Sequence, residues 1–219
     1  MTRAQMLRKI LEQELSDDIE PLLRERGFIR KGRVFRRQRG LLYDGIGIHD
    51  VRRGKFDDFH TFSVSVGIGS TEIDRFPPEP VVGQPNSTIS RPWGRLVPGL
   101  PEYFYFDETY DVDIWGCVLS DGLERVVDVM DQFDSSRTLA RWAAANNLLY
   151  QYERTCGYLA AVGDVDTLVS YVRKLQSRFG HESRWEFFSR DIVAAVGSSA
   201  ALLEAQGVLA PFDSPSVEA

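Results

Sequence analysis

Leu7, Leu11, Leu15, Ile19 and Leu22 recur at three- or four-residue steps, which places one apolar stripe on an N-terminal helix. Pro21 falls inside that stripe and cannot donate to the carbonyl four residues back. Ser16-Asp17-Asp18 just upstream can cap a second short helix with Pro21 in its first turn. Gly27 then supplies a left-handed stop, with Phe28 folding back as the accompanying apolar contact.

From Phe28 the period changes to two. Phe28 to Arg30 and Val34 to Gln38 read as short strands joined at Lys31-Gly32, a dipeptide suited to a tight turn. Leu42 to Val51 follows, with Leu42, Ile46 and Ile48 on one face. The polar stretch 50–59 leads to Thr61 to Gly69, where Phe62, Val64, Val66 and Ile68 alternate with Ser63, Ser65 and Gly67. Four successive strands with short connections predict an antiparallel meander, one face of it covered by the N-terminal helix. Residues 74–101 hold seven prolines and read as irregular, extended chain with an edge strand near Trp93 to Val97. Tyr103 to Phe106 and Asp111 to Trp115 look like further strands.

From Leu119 the pattern is helical almost to the end. Helices are expected near 121–133, 136–152, 155–162, 165–178 and 183–205, broken at Asp134-Ser135, Gly163-Asp164 and Gly180, with Asp164 or Asp166 as an N-cap. The stretch from Tyr158 to Val169, turning at Gly163-Asp164, is similar to one unit of a stacked helical repeat, but no period extends it, so a packed helix pair is the reading. The predicted class is α+β: an N-terminal helix packed on an antiparallel β-meander, followed by a C-terminal helical part. The expected division is a sheet domain over 1–118, a helical part packed on it over 119–210 and a frayed tail over 211–219.

Composition narrows the class without changing this picture. A chain of 219 residues with 43% hydrophobic and 26% charged residues is an ordinary globular chain of one large or two small domains. The N-terminus, broken by Arg3, Arg8, Lys9, Glu12 and Glu14, does not read as a signal peptide, and no 18 apolar residues run together. Cys117 and Cys156 fit no zinc spacing and read as the reduced thiols of a cytoplasmic protein.

Charge does change the picture. Residues 24–39 carry eight basic side chains against one acid, a local +7 in a chain whose net charge is −6. Arg30, Lys31, Arg33, Arg36, Arg37 and Arg39 form the candidate binding set, and alternation puts Arg33, Phe35 and Arg37 on one strand face with Val34, Arg36 and Gln38 on the other. An exposed basic face over Arg33, Arg36 and Arg37 would attract anions. Basic side chains on an edge strand also protect it from aggregation and pair with acids elsewhere.

The run Pro21-Leu22-Leu23-x-x-x-Gly27-Phe28-x-x-Lys31-Gly32-x-x-Phe35-x-Arg37 resembles the opening of the domain-of-unknown-function family 4304, which is mainly bacterial. Phe62-x-Val64-x-Val66-Gly67 fits the same pattern, as does the aromatic segment near Asp111 to Trp115, where the family's usual tryptophan pair is here Ile114-Trp115. The resemblance implies a helix entering a sheet and then a helical C-terminal part. It brings no catalytic residues.

The remaining motifs each have a plain structural reading. Asp111-Val112-Asp113 has the spacing by which two carboxylates on one strand face share a divalent ion, with Asp107 and Glu108 nearby, and equally that of a half-buried strand with both aspartates in water. Gly67-Ile-Gly69-Ser-Thr71 and Asp44-Gly-Ile-Gly47 lack the glycine–lysine pair or the third glycine of a phosphate-cradling loop, and in a strand such glycines mark a bulge or close backbone packing. His49 and His60, near Asp50, Asp57 and Asp58, would face each other across a hairpin only in one register.

The resulting expectation is a non-enzymatic protein-binding module, accessory or immunity-like, with no cofactor, no metal and no membrane. Its partner would be another protein with an acidic surface. Nucleic-acid or phosphate-ligand binding through the hairpin 24–39 is the alternative, which a pI near 5.2 disfavours. A metal-dependent hydrolase built on Asp111 and Asp113 is the third reading.

Overall fold

Helix α1 (Arg3–Glu14) opens with a capping box, in which Thr2 and Gln5 each receive the other's backbone N–H. It does not stop at Pro21. In the computed structural model the chain passes through a π-helical turn (Leu15–Ile19) directly into α2 (Glu20–Glu25). The wider turn absorbs the donor that proline lacks. Leu7, Leu11, Leu15, Ile19 and Leu23 are buried along this continuous rod. The structure describes residues 2–51, 59–74, 89–107, 109, 112–146 and 151–211.

The rod ends in the predicted way. Gly27 has φ +85°, its N–H donates to the Arg24 carbonyl, and the Phe28 N–H reaches the Leu23 carbonyl. This pair of bonds is the Schellman arrangement, and it turns the buried Phe28 inward. Among the described residues six strands follow: β1 (Ile29–Lys31), β2 (Val34–Arg39), β3 (Leu42–Asp50), β4 (His60–Ser70), β5 (Ile89–Pro92) and β6 (Phe104–Phe106). All pairings are antiparallel in the order β1-β2-β3-β4-β5, with β6 beside the first residues of β4. The class is α+β.

Register divides the sheet into two unlike faces. Phe35 lies opposite Ile46, Ile46 opposite Val66 and Ile48 opposite Val64, and all are buried with Leu42, Phe62 and Ile68. This inner face meets the N-terminal rod and α4 (Val112–Asp131), which buries Trp115, Leu119, Leu123, Val126, Val127 and Met130. The opposite face carries Ile29, Lys31, Val34, Arg36, Gln38, Tyr43 and the glycines of β3 and β4.

Two strand expectations are corrected. Of the strand expected over 111–115, Asp111 lies outside the described residues and the rest is helical, since α4 begins at Val112. The three- and four-residue recurrence of Trp115, Leu119, Leu123 and Val126 overrides the local alternation around Val112. Trp93–Leu96 is a short helix, α3, and the strand precedes it as β5. Trp93 is fully buried, its indole N–H donates to the Pro101 carbonyl at 2.6 Å, and its ring fills the space that a side chain at Gly122 of α4 would need.

The chain forms two compact units, Met1–Phe133 and Asp134–Ala219, so α4 belongs to the first and the division falls later than the expected 118/119. The second unit is helical: α5 (Ser136–Asn146), α6 (Tyr152–Ala161), α7 (Val165–Phe179), α8 (Trp185–Val196), a 3₁₀ turn at Gly197–Ser199 and α9 (Ala200–Ala205). The single helix expected over 183–205 is broken at Gly197, where φ is +54°. Asp164 occupies the N-cap of α7, and its carboxylate is held below the usual range chiefly by the Arg141 guanidinium. Leu139, Leu159, Leu168, Val172, Leu175, Ile192 and Leu203 form this unit's core. Among the described residues no helix is long and apolar enough to cross a membrane.

The junction at Gly27 gives a direct test of the fold. Gly27→Val forces a β-branched residue into a left-handed conformation and should cost about 1–2 kcal/mol. Phe28→Ala should cost about 3–5 kcal/mol through lost burial and the cavity left behind. Urea melts check both, and a Phe28→Ala protein as stable as the parent would contradict the packing described.

Candidate functional site

The basic run, expected as an exposed face over Arg33, Arg36 and Arg37, is for the most part folded inward. Arg37 lies on the inner face of β2, directly opposite Asp44 of β3. Its Nε donates to Asp44 Oδ2 at 2.9 Å, its Nη2 reaches Asp131 Oδ1 at 2.7 Å, and its guanidinium lies 4.6 Å from the centre of the Phe28 ring. Arg39, on the same face, holds both oxygens of Asp44 at 2.8 and 3.2 Å and donates to the carbonyls of Met130 and Phe133, each at 2.8 Å. Asp44 has no exposed side-chain surface. Burial opposes the charged form of Arg39, and the Asp44 carboxylate outweighs it, so its pKa rises.

Arg30 and Arg33 turn the other way along the same face. Arg30 donates to Ser16 at 2.7 Å, Glu12 at 2.8 Å and Glu20 at 3.3 Å. Arg33 holds Glu12 and Asp50, and Asp50 also lies 3.1 Å from His60. Four of the six candidate residues are thus engaged with the protein's own acids. Their neighbours explain the departure from alternation alone: acids on the rod and at the end of α4 face the inner side of the hairpin. Lys31 and Arg36 lie on the opposite face, paired across β1 and β2 with Val34 and Ile29 respectively.

That outer face has a floor of glycine. Gly45 pairs with Gly67 across β3 and β4, Gly47 with Ser65, and Tyr43 with Gly69. Two of these glycines have internal reasons. A Cβ at Gly47 would lie 2.7 Å from His49 Nε2 and 3.0 Å from Ser65 Oγ, two atoms joined by a hydrogen bond of 2.6 Å. A Cβ at Gly69 would collide with the ring of Tyr43, whose hydroxyl donates to Asp74. The paired Gly-Ile-Gly segments in consecutive strands are the sequence signal for this floor, since a period of two puts every glycine on one side.

The other sequence candidates do not converge. His49 is on the outer face and His60 on the inner, so they do not pair across the hairpin. Asp113 lies in the first turn of α4, while Asp111, Glu108, Asp57 and Asp58 lie outside the described residues. Among the described residues no group of three or more His, Cys, Asp or Glu is placed to hold a metal ion. Cys156 is buried, which pushes its thiol above the usual range, and Cys117 is exposed on α4.

No family model, no curated protein and no solved structure matches this chain.

Burial lowers the pKa of both His49 and His60, with Asp50 opposing it. The unfolded chain therefore binds protons near its ordinary histidine pKa of about 6.5, while the folded chain binds them only at lower pH. Stability should be fully present above pH about 6.5 and should fall as pH drops through that value toward the lowered folded values. Thermal midpoints between pH 7.5 and 5.5 check this. The His49→Gln/His60→Gln protein should show a flatter profile, and an unchanged slope would contradict the assignment.

Proposed function

We propose that this protein is a non-enzymatic protein-binding module, accessory or immunity-like, whose partner presents an acidic surface. The reading is supported above all by Ile29, which is 77% exposed on the edge strand β1 with Lys31 on the same face and Arg36 opposite it. A large aliphatic side chain among basic ones, at the open edge of a sheet, suits an interface anchor with a charged rim. The resemblance of the Gly27-Phe28 run to family 4304 fits such a module and adds no catalytic residues. The accessory or immunity-like role is an analogy of size and composition.

Immobilised protein and a lysate of the native host, treated with nuclease and read by quantitative mass spectrometry, test the proposal. The parent should retain a defined protein partner, and Ile29→Asp and Lys31→Glu should each lose at least about tenfold of it with unaltered melts. A 1.4 kcal/mol contribution corresponds to that factor. Retention that nuclease abolishes, with a steep salt dependence, would instead favour nucleic acid. Equal retention by parent and variants would contradict the proposed face.

A further inference from the structure

The ladder between β1 and β2 fixes which backbone groups of β1 are left over. The Arg33 carbonyl accepts from the N–H of its cross-strand neighbour Ile48, so the odd-numbered residues along β2 turn their backbone groups toward β3. Val34 and Arg36 therefore turn theirs toward β1, where their partners are Lys31 and Ile29. Bonding sides alternate along an antiparallel strand, so the N–H and C=O of Arg30 point away from β2, to the open edge. β1 is the terminal strand of the sheet's order on that side. Among the described residues no backbone group beyond the ladder pairs with Arg30.

The side chains along this edge are divided by face. Arg30 turns inward and is held by Ser16, Glu12 and Glu20, which fixes its backbone in place. Ile29 and Lys31 flank it on the outer face, and both are exposed. Lys31 makes no hydrogen bond or ion pair among the described residues. Edges guarded against pairing carry proline, a bulge or charge. β1 has no proline and an unbroken register, and the side chain beside its one outer-face charge is a 77% exposed aliphatic. A lone lysine at such an edge repels a basic strand and favours one that brings a carboxylate.

We propose that β1 takes up an extended segment of the partner protein as an added antiparallel strand, and that this segment reads acid, any residue, aliphatic. The middle residue lies opposite Arg30 and exchanges both backbone hydrogen bonds with it. In antiparallel order the residue before it then faces Lys31 and supplies the carboxylate. The residue after it faces Ile29 and supplies the aliphatic side chain. In strand addition the main-chain bonds give affinity and the alternate side chains give selectivity. A second copy of β1 suits the edge less well, because pairing about Arg30 would set each Lys31 opposite an Ile29 and bring no carboxylate. The inference rests on the protein-binding reading above and specifies how the partner is held.

The test uses a probe peptide, acetyl-Ser-Glu-Thr-Ile-Ser-amide, titrated into the isotopically labelled full chain. Saturable amide shifts are expected at Arg30, Lys31 and Gly32, at roughly millimolar affinity, with slower solvent exchange of the Arg30 N–H. Methylating the peptide's Thr nitrogen removes the donor to the Arg30 carbonyl and should weaken binding by at least about tenfold. Acetyl-Ser-Lys-Thr-Ile-Ser-amide should bind equally poorly. Lys31→Glu should reverse the preference between the acidic and basic peptides while leaving the thermal midpoint unchanged, because the side chain is exposed.

An N-methylated peptide that binds as well as the probe, an unreversed preference in Lys31→Glu, or no saturable shift at Arg30 would each overturn the proposal. Shifts at Arg30 that grow with protein concentration in the absence of peptide would also overturn it, since a second copy would then cover the edge. The N-methyl comparison tests the backbone bonds alone, so its failure leaves the lysate experiment on the Ile29 and Lys31 side chains intact. Failure of the lysate experiment leaves the peptide titration readable.

Discussion

Asp44 is the constraint on which the first unit depends. A carboxylate with no exposed surface cannot remain charged in an apolar interior without close compensation. It has that compensation only in one arrangement: Arg37 directly across the ladder and Arg39 two residues on, both on the inner face. A slip of β2 by one residue would turn both arginines outward and leave Asp44 alone among Leu42, Ile46 and Ile68. The ion-pair cluster is therefore a specificity device for strand register. Its net contribution to stability is small beside the cost of disrupting it.

The same two arginines connect the sheet to α4. That helix ends with Asp128 and Asp131 and has no basic residue in its last turn, an arrangement that opposes the helix dipole. Arg26, Arg37 and Arg39 supply the missing cations from outside, and Arg39 also caps the carbonyls of Met130 and Phe133. At the other end of the hairpin, Arg30 and Arg33 bind the acids of the N-terminal rod. The +7 run is thus mainly an internal staple between one hairpin and two helical segments. What stands exposed at the edge strand, Lys31 beside Ile29, is smaller and more defined than a basic face.

Much of the fold was legible in the sequence, and the reasons are particular. Gly27-Phe28 announced the end of the rod because a left-handed stop and a following apolar anchor leave few alternatives. The alternation from Phe62 to Ile68 identified a strand with one buried face. Trp93 and Asp113 were misread because their local alternation is short, and tertiary packing against Gly122 in one case and helix periodicity from Trp115 in the other outweighed it. The fate of the arginines was not legible from alternation, which treats charge as outward-facing. One signal was present: Asp128 and Asp131 at a helix C-terminus lacking its own cations. The outer floor was visible as two Gly-Ile-Gly segments, but only register shows that Gly45 and Gly67 meet.

The most direct test of this account is the coupling between Asp44 and Arg37, measured by urea unfolding of Asp44→Ala, Arg37→Met and the double variant. Because each single variant strips one buried contact from a charge that stays behind, with Arg39 still on Asp44 and Asp131 still on Arg37, the two losses should not add, with a coupling energy of about 1–3 kcal/mol. Additive losses, within about 0.5 kcal/mol, would mean that the two side chains act independently and that Asp44 does not set the register of the sheet.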